Sequence, residues 1–345
     1  MYLEDGRNLE RMNNVLIVGC GKIAGYYDEL ETLKEVNSYS HSAAYYLHSE
    51  FNIEGYVDRN IKKAEFLAEK FKCAYFSDDL KESLIRIKPA VVSVCTPDNS
   101  HYEVVLEILK SEYTPKIIFL EKPAFSSSEQ FQHILALIKN KNIRIVVNQT
   151  RRFENYTNKL KGLIKEKRFG DIIRIDGWYY SGWMHNGVHF IDTITYLMNE
   201  KLSDAKVIRF DDSPYENDFN IDLILYSNES NIPVCINCFD EKYYQLFEFD
   251  LKFSNARIRI EDFGARILYE KAFVNEMNED VLELSDTEKI FSSDGDQSPM
   301  YNAISRIHDY LYHKDDLSGI QLRDISSTME TIWKVQNLIT NEFIK

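Results

Sequence analysis

Short segments hold residues whose types and order could do chemistry. Val15-Leu16-Ile17-Val18-Gly19-Cys20-Gly21-Lys22-Ile23-Ala24 is an apolar run that breaks into G-x-G-x-x-A. The first glycine suits a tight turn, the second lets a pyrophosphate approach the main chain, and Ala24 lets a helix pack close to the strand. Amides from Lys22 and Ile23 onward, at the start of the expected helix, would face the phosphates. The run Ile53-Glu54-Gly55-Tyr56-Val57-Asp58 ends in an acid suited to ribose hydroxyls. Asp58 lies 37 residues after Gly21, against about 20 in the usual spacing. An acidic insertion near residues 26–39 accounts for the excess, as a lid or as a surface loop. Asp58 repels a 2′-phosphate, whereas Arg59, Lys62 or Lys63 could hold one. NAD is therefore the expected cofactor and NADP the alternative.

Phe119-Leu120-Glu121-Lys122-Pro123 places a lysine at a strand end. Its ammonium could hydrogen-bond a reacting oxygen and stabilise a developing alkoxide. Pro123 allows a cis bond. The alternative for Lys122 is a solvated surface cation. In Asn186-Gly187-Val188-His189-Phe190-Ile191-Asp192, His189 is of the residue type whose ordinary pKa near neutrality suits proton transfer, although a single histidine at a helix start is also a common structural residue. Asp192, three residues on, shares its helix face and could orient the ring or cap the helix. His185 and His189 have a zinc-like spacing. No glutamate follows His185 and no third ligand is evident, so no metal is expected. Trp178-Tyr179-Tyr180-Ser181-Gly182-Trp183 could stack on a sugar ring. At least half of that group should be core, leaving Trp183, and after it Tyr180, as the substrate candidates.

With Thr96-Pro97-Asp98-Asn99-Ser100-His101 and Asn148-Gln149-Thr150-Arg151-Arg152-Phe153, these motifs run in order from about residue 14 to 198. Together the set resembles the Gfo/Idh/MocA oxidoreductases. The resemblance implies NAD(P)-linked oxidation or reduction of a sugar, a cyclitol or a nucleotide-linked sugar. It implies Lys122 as catalytic lysine, His189 as acid/base, and His185 at a position that often carries aspartate, where it contacts substrate or joins the relay. Gly19, Gly21, Lys22, Ile23, Asp58, Arg59, Glu121 and Lys122 fall at cofactor positions. Thr96, Pro97 and His101 resemble the cofactor floor, or else form a plain βα turn with a helix cap. Lys122, Arg152, Trp183, His185 and Asp192 are the substrate candidates. Rival readings are a non-catalytic dinucleotide or sugar sensor of the same fold, and a methyltransferase, which has no use for the E-K-P and histidine segments.

The elements that position these residues are legible as periodicity. Apolar runs at 14–19, 52–57, 91–95, 116–120 and 143–147, with helical patterns such as 62–72 and 102–110 between them, predict an α/β, doubly wound parallel sheet. This Rossmann domain is expected over residues 1–148, with 1–11 a loose extension. The pattern then changes: a helix at 154–167, a strand at 171–180, a helix at 188–198, alternating strands such as 219–225 and 244–253, and helices at 299–313 and 321–341. An α+β domain on an open, mostly antiparallel sheet is expected over 149–345. An uncovered apolar sheet face would make the chain a homodimer or homotetramer. Fifty-five acids against 41 bases, net −14, exclude nucleic acid as a partner. No apolar run spans a bilayer and the first residues lack a signal-peptide pattern, so a cytoplasmic location is expected. The Cys235 and Cys238 pair, on a strand, should face opposite sides of it.

Overall fold

A computed structural model describes residues 13–26, 28–291 and 295–343. The expected extension at 1–11 lies outside the described residues. The chain forms two compact units, one of residues 13–154 with 295–325, the other of 155–291 with 326–343.

The first unit is a six-stranded parallel sheet in the order β3-β2-β1-β4-β5-β6. Its strands are β1 (Asn13–Val18), β2 (Phe51–Val57), β3 (Phe76–Ser77), β4 (Val91–Val94), β5 (Ile117–Leu120) and β6 (Arg144–Val147). Helices α1 (His41–Leu47), α2 (Ile61–Lys70), α3 (Leu80–Ile87), α4 (His101–Lys110) and α5 (Ser128–Ile138) connect them. Helices on both faces bury β4 and β5 completely and most of β1, β2 and β6, which is why these strands read as mostly apolar runs.

The unit also reclaims a distant piece of chain, so the expected boundary at residue 148 does not hold. Helix α8 (Pro299–His313) packs on α1, and its Met300, Ala303, Ile304 and Ile307 join the core of Val15, Ile17 and Phe119. Leu317 and Ile320 join it as well. Ser298 caps α8 through the Tyr301 amide and donates to the Ser38 carbonyl at 2.7 Å. The Ser298 amide also donates to the Glu35 carbonyl at 2.9 Å. The 26–39 insertion is thereby fastened at Glu35 and Ser38 to the start of α8.

His48, which closes α1, lies buried beside Phe51, Tyr301 and His308. Burial, and then the neighbouring His308, pushes its pKa down to about 4. The unfolded ring titrates near ~6.5. As pH falls through that window the unfolded chain binds a proton that the folded one refuses, so stability is present above ~6.5 and drops by about 3 kcal/mol towards pH 4. Thermal unfolding of His48→Gln should lose this part of the acid slope. A wild-type and variant slope that coincide between pH 7 and 4.5 would disprove it.

The second unit contains α6 (Asn155–Lys165), β7 (Ile172–Tyr180), α7 (Val188–Met198), β8 (Leu202–Asp212), β9 (Phe219–Ser227), β10 (Pro233–Phe239), β11 (Glu248–Phe253), β12 (Ala256–Glu261), β13 (Arg266–Val274), β14 (Leu282–Leu284), β15 (Glu288–Phe291) and α9 (Ser326–Phe343). The sheet order is β14-β13-β12-β11-β7-β10-β9-β8, with β15 on β13. Among the described residues of this sheet only the β7–β10 pair is parallel. Ile175, Tyr179, Leu223, Ile236, Leu251 and Ile258 are buried. The alternate residues of β7, β11 and β12 are not the apolar surface expected from the sequence. They form a ladder of ion pairs: Lys252 reaches both Asp176 and Asp250 at 2.7 Å, Arg174 pairs with Asp176, and Arg257 with Asp250. Cross-strand charge pairing of this kind makes a satisfied polar surface. Exposed apolar side chains gather instead on β13 and β14, at Phe273, Val274, Leu282 and Leu284. On β10, Cys238 is buried and Cys235 half-buried, on opposite sides of the strand as the spacing implies.

Candidate active site

Because β1, β4 and β5 are parallel neighbours, their carboxyl ends bring the glycine turn, the T-P turn and the E-K-P turn to one edge of the first unit. Ligands of open α/β sheets bind at such an edge. Gly19 has φ +87°, and a Cβ there would stand 2.6 Å from the Thr96 amide nitrogen, so only glycine fits. A Cβ on Gly21 would meet nothing within 4 Å, leaving the main chain open to a phosphate. Asp58 accepts from the Cys20 amide at 2.7 Å and from the Asn60 amide at 2.8 Å, tying the end of β2 to the glycine turn.

The regular helix expected after this turn is absent. Lys22–Tyr26 is a single five-residue π-turn, because the chain leaves at once into the insertion. The turn therefore lacks the aligned dipoles of a full helix at the expected phosphate position. A cleft of about 680 Å³ beside it is lined by Asp58, Arg59, Lys63, Lys81, Thr96 and Pro97. The Thr96 hydroxyl oxygen is buried with no partner from the chain. An open glycine turn, an acid at the ribose position and an unpartnered hydroxyl fit a dinucleotide.

The Lys122–Pro123 peptide is cis. Lys122 is half-buried. Glu121 and His101, expected to touch the cofactor, are committed to the protein. Both ring nitrogens of His101 lie 2.9 Å from main-chain carbonyls, Nδ1 from that of Pro123 and Nε2 from that of Thr96, so the buried ring joins the two turns. Glu121 Oε1 accepts from His41 Nε2 at 2.8 Å and from Asn148 Nδ2 at 2.6 Å. Burial pushes the Glu121 carboxyl up, but the hydrogen bond and charge of His41, then Asn148 and Lys122, leave it below the ordinary carboxylate range. Arg152 is a correction too. It is 3% exposed, and its Nη1 donates to the Gly319 carbonyl at 2.6 Å and the Asp324 carbonyl at 3.3 Å, so it secures that turn and presents no surface to a substrate.

In the second unit, Ser181 and Gly182 both have positive φ and break the strand period after β7. The break turns Trp183 inward. It is fully buried, its indole donating to the Ile332 carbonyl at 3.0 Å, and it cannot stack on a sugar. Asp192 is also buried and accepts from the Thr328 hydroxyl at 2.9 Å, which fastens α7 to α9. His189 is half-buried in the first turn of α7. The half-buried His185 ring stacks on Tyr215 at 3.8 Å. Sequence reasoning missed Asp218, a buried carboxylate that accepts from the Met184 and His185 amides at 2.9 and 3.1 Å. Burial raises its pKa although these amides oppose the shift. Asp218 thus holds the turn that carries His185. No local motif marks it, since it lies 33 residues away.

Residues 13–149 match the Gfo/Idh/MocA model, described as an oxidoreductase family with an NAD-binding Rossmann fold. The match agrees with the order of the motifs read from the sequence up to about residue 149. The chain is 27% identical over 158 residues, 46% of its length, to the D-glucoside 3-dehydrogenase of Escherichia coli (strain K12). That stretch spans only 40% of the relative. Two solved structures share the fold over most of the chain. The 3-ketoreductase KijD10 from Actinomadura kijaniata, in complex with NADP and TDP-benzene, has a TM-score of 0.73 at 12% identity, over 94% of this chain and 97% of that one. A super-repressor mutant of Gal80p from Saccharomyces cerevisiae has a TM-score of 0.71 at 15% identity, over 95% and 97%. Among the described residues no helix is long and apolar enough to cross a membrane.

Proposed function

We propose that the chain is a nicotinamide-dependent oxidoreductase that moves a hydride to or from a carbinol carbon of a sugar, a cyclitol or a nucleotide-linked sugar. The observation that carries this reading is the single sheet edge holding the open Gly21 turn, the unpartnered Thr96 hydroxyl and Lys122. A bound nicotinamide would supply the hydride chemistry. The chain's own part is to place Lys122 so that its ammonium steadies the reacting oxygen, with His189 as proton carrier and His185 as a contact to substrate or a member of the relay. The relative named D-glucoside 3-dehydrogenase supports a sugar-like substrate. Incubation with NAD and a panel of free glycosides and nucleotide-linked sugars, followed by NADH absorbance, tests the reading; NADH binding without turnover on any of them counts against it.

A second reading is a dinucleotide or sugar sensor without turnover. The withdrawal of Arg152, Trp183 and Asp192 into the protein favours it, and the fold is shared with Gal80p. A hydride transferred to any carbonyl excludes it.

Cofactor choice has its own test. The Asp58 carboxylate shares its cleft with Arg59, Lys63 and Lys81. Asp58→Ala is expected to weaken NAD more than NADP, by roughly tenfold, because a ribose acceptor is lost and a negative neighbour of a 2′-phosphate goes with it. Calorimetry showing the opposite order would make NADP the natural cofactor, held by those cations.

A further inference from the structure

The glycine turn is held at both of its ends. At the entry, the Gly19 amide donates to the Val57 carbonyl at 2.7 Å and the Cys20 amide to the Asp58 carboxylate at 2.7 Å, both at the end of β2. At the exit, the chain runs through the π-turn Lys22–Tyr26 and is extended by Glu29. A continuing helix would bond the Gly25 and Tyr26 carbonyls to the amides of Glu29 and Leu30. Here the ammonium of Lys70, in the last turn of α2, donates to both carbonyls, at 2.9 Å to that of Gly25 and 3.3 Å to that of Tyr26. Phe66, one turn earlier on the same face of α2, stacks on the Tyr26 ring with centroids 4.8 Å apart. Gly25 is wedged between α1 and the end of α2: a Cβ there would stand 2.8 Å from the Phe71 ring and 3.0 Å from Ser42 Oγ.

We infer that Lys70 is a positioning residue for the cofactor: its ammonium stands in for the missing next turn of helix, fixes the exit of the glycine turn, and so keeps the main chain at Gly21 in place for a pyrophosphate. The inference rests on the dinucleotide reading of this sheet edge for its purpose. Lys70 bonds main-chain carbonyls, so it acts through the turn and not on the ligand. Between the bonds at Cys20 and Gly25, the Ala24 amide donates back to the Gly21 carbonyl at 3.2 Å. A shift at Gly25 is therefore passed through one closed turn to Gly21. A lysine in the last turn of a helix also suits the dipole of that helix. That role would steady α2 and leave the glycine turn as it is. The pair is hidden in the sequence because 45 residues separate Lys70 from Gly25.

Hydrogen exchange of the peptide carrying residues 19–26, read by mass spectrometry on the full chain without ligand, tests this together with an NADH fluorescence titration. Lys70→Met should speed exchange of that peptide by on the order of tenfold, the scale of a lost charge-assisted hydrogen bond. NADH affinity should fall by a similar factor, because binding must then order the turn itself. The melting temperature should move by no more than about 2 °C, as for a surface substitution. Lys70→Arg, which keeps charged donors for both carbonyls, should restore exchange and affinity. Should Lys70→Met not fold by circular dichroism, Lys70→Gln is compared with Lys70→Arg in its place. Unchanged exchange in Lys70→Met overturns the proposal even if binding weakens, since the lysine would then act on the phosphates directly. Unchanged affinity, or equal losses in Lys70→Met and Lys70→Arg, overturns it as well. NADH binding by the wild type is scored separately: its failure sinks the oxidoreductase reading and the purpose given to Lys70, while the exchange result still decides whether Lys70 orders the turn.

Discussion

Gly21→Val is expected to fold like the wild-type chain and to lose NAD(H) affinity by on the order of 100-fold or more, equivalent to about 3 kcal/mol. The two glycines of the turn do different work, and the structure separates them. At Gly19 the main chain has φ +87° and a side chain would strike the amide of Thr96, so Gly19→Ala should cost stability even without ligand. At Gly21 there is open space where a side chain would stand, and the folded protein tolerates one. That space is where a pyrophosphate must come close to the main chain. A matched pair of melting curves and an NADH titration distinguish the two. Unchanged affinity in Gly21→Val would remove the dinucleotide from this edge of the sheet.

Lys122→Ala should retain NADH binding and lose roughly 10²- to 10⁴-fold in kcat with any sugar that supports turnover. His189→Ala should do the same if it carries the proton. If the two act on one oxygen, the double variant should be little worse than the worse single one, since groups acting as a unit are not additive. His185→Ala is the informative third. A raised KM with kcat kept would make it a substrate contact; a fall in kcat that merges with the others would put it in the relay. A His189→Ala enzyme within about twofold of wild type would move the proton transfer elsewhere.

The sequence displayed most clearly whatever is decided over a few neighbouring residues. Strands buried on both faces are mostly apolar, so β1, β2, β4, β5 and β6 could be placed to within a residue or two. The glycine turn and the E-K-P turn were visible because their main-chain geometry restricts residue type. Contacts between distant segments were hidden. An amphipathic helix declares that it has a buried face, never which core receives it, so α8 could not be assigned to the first unit. His41 and Asp218 are ordinary residues in ordinary surroundings until folding brings them to Glu121 and to the His185 turn. Trp183 was misread for a local reason: two consecutive residues with positive φ reverse the side on which the next side chain falls, and Ser181, unlike Gly182, gives no sign of it. The alternate residues of β7, β11 and β12 were expected as an open apolar face, because alternation alone does not show which charges pair across strands.

The contribution of α8 to the first core has a consequence for how the protein is made. A ribosome working from the N-terminus completes all six strands of the nucleotide-binding sheet by residue 147, yet Met300, Ile304, Ile307 and Ile320 have not been synthesised. The nascent sheet must wait with part of its apolar surface uncovered while the entire second sheet emerges. A message truncated between the two regions would thus yield a chain with every recognisable nucleotide-binding motif and an unfinished core to hold them, a ready client for chaperones and proteases.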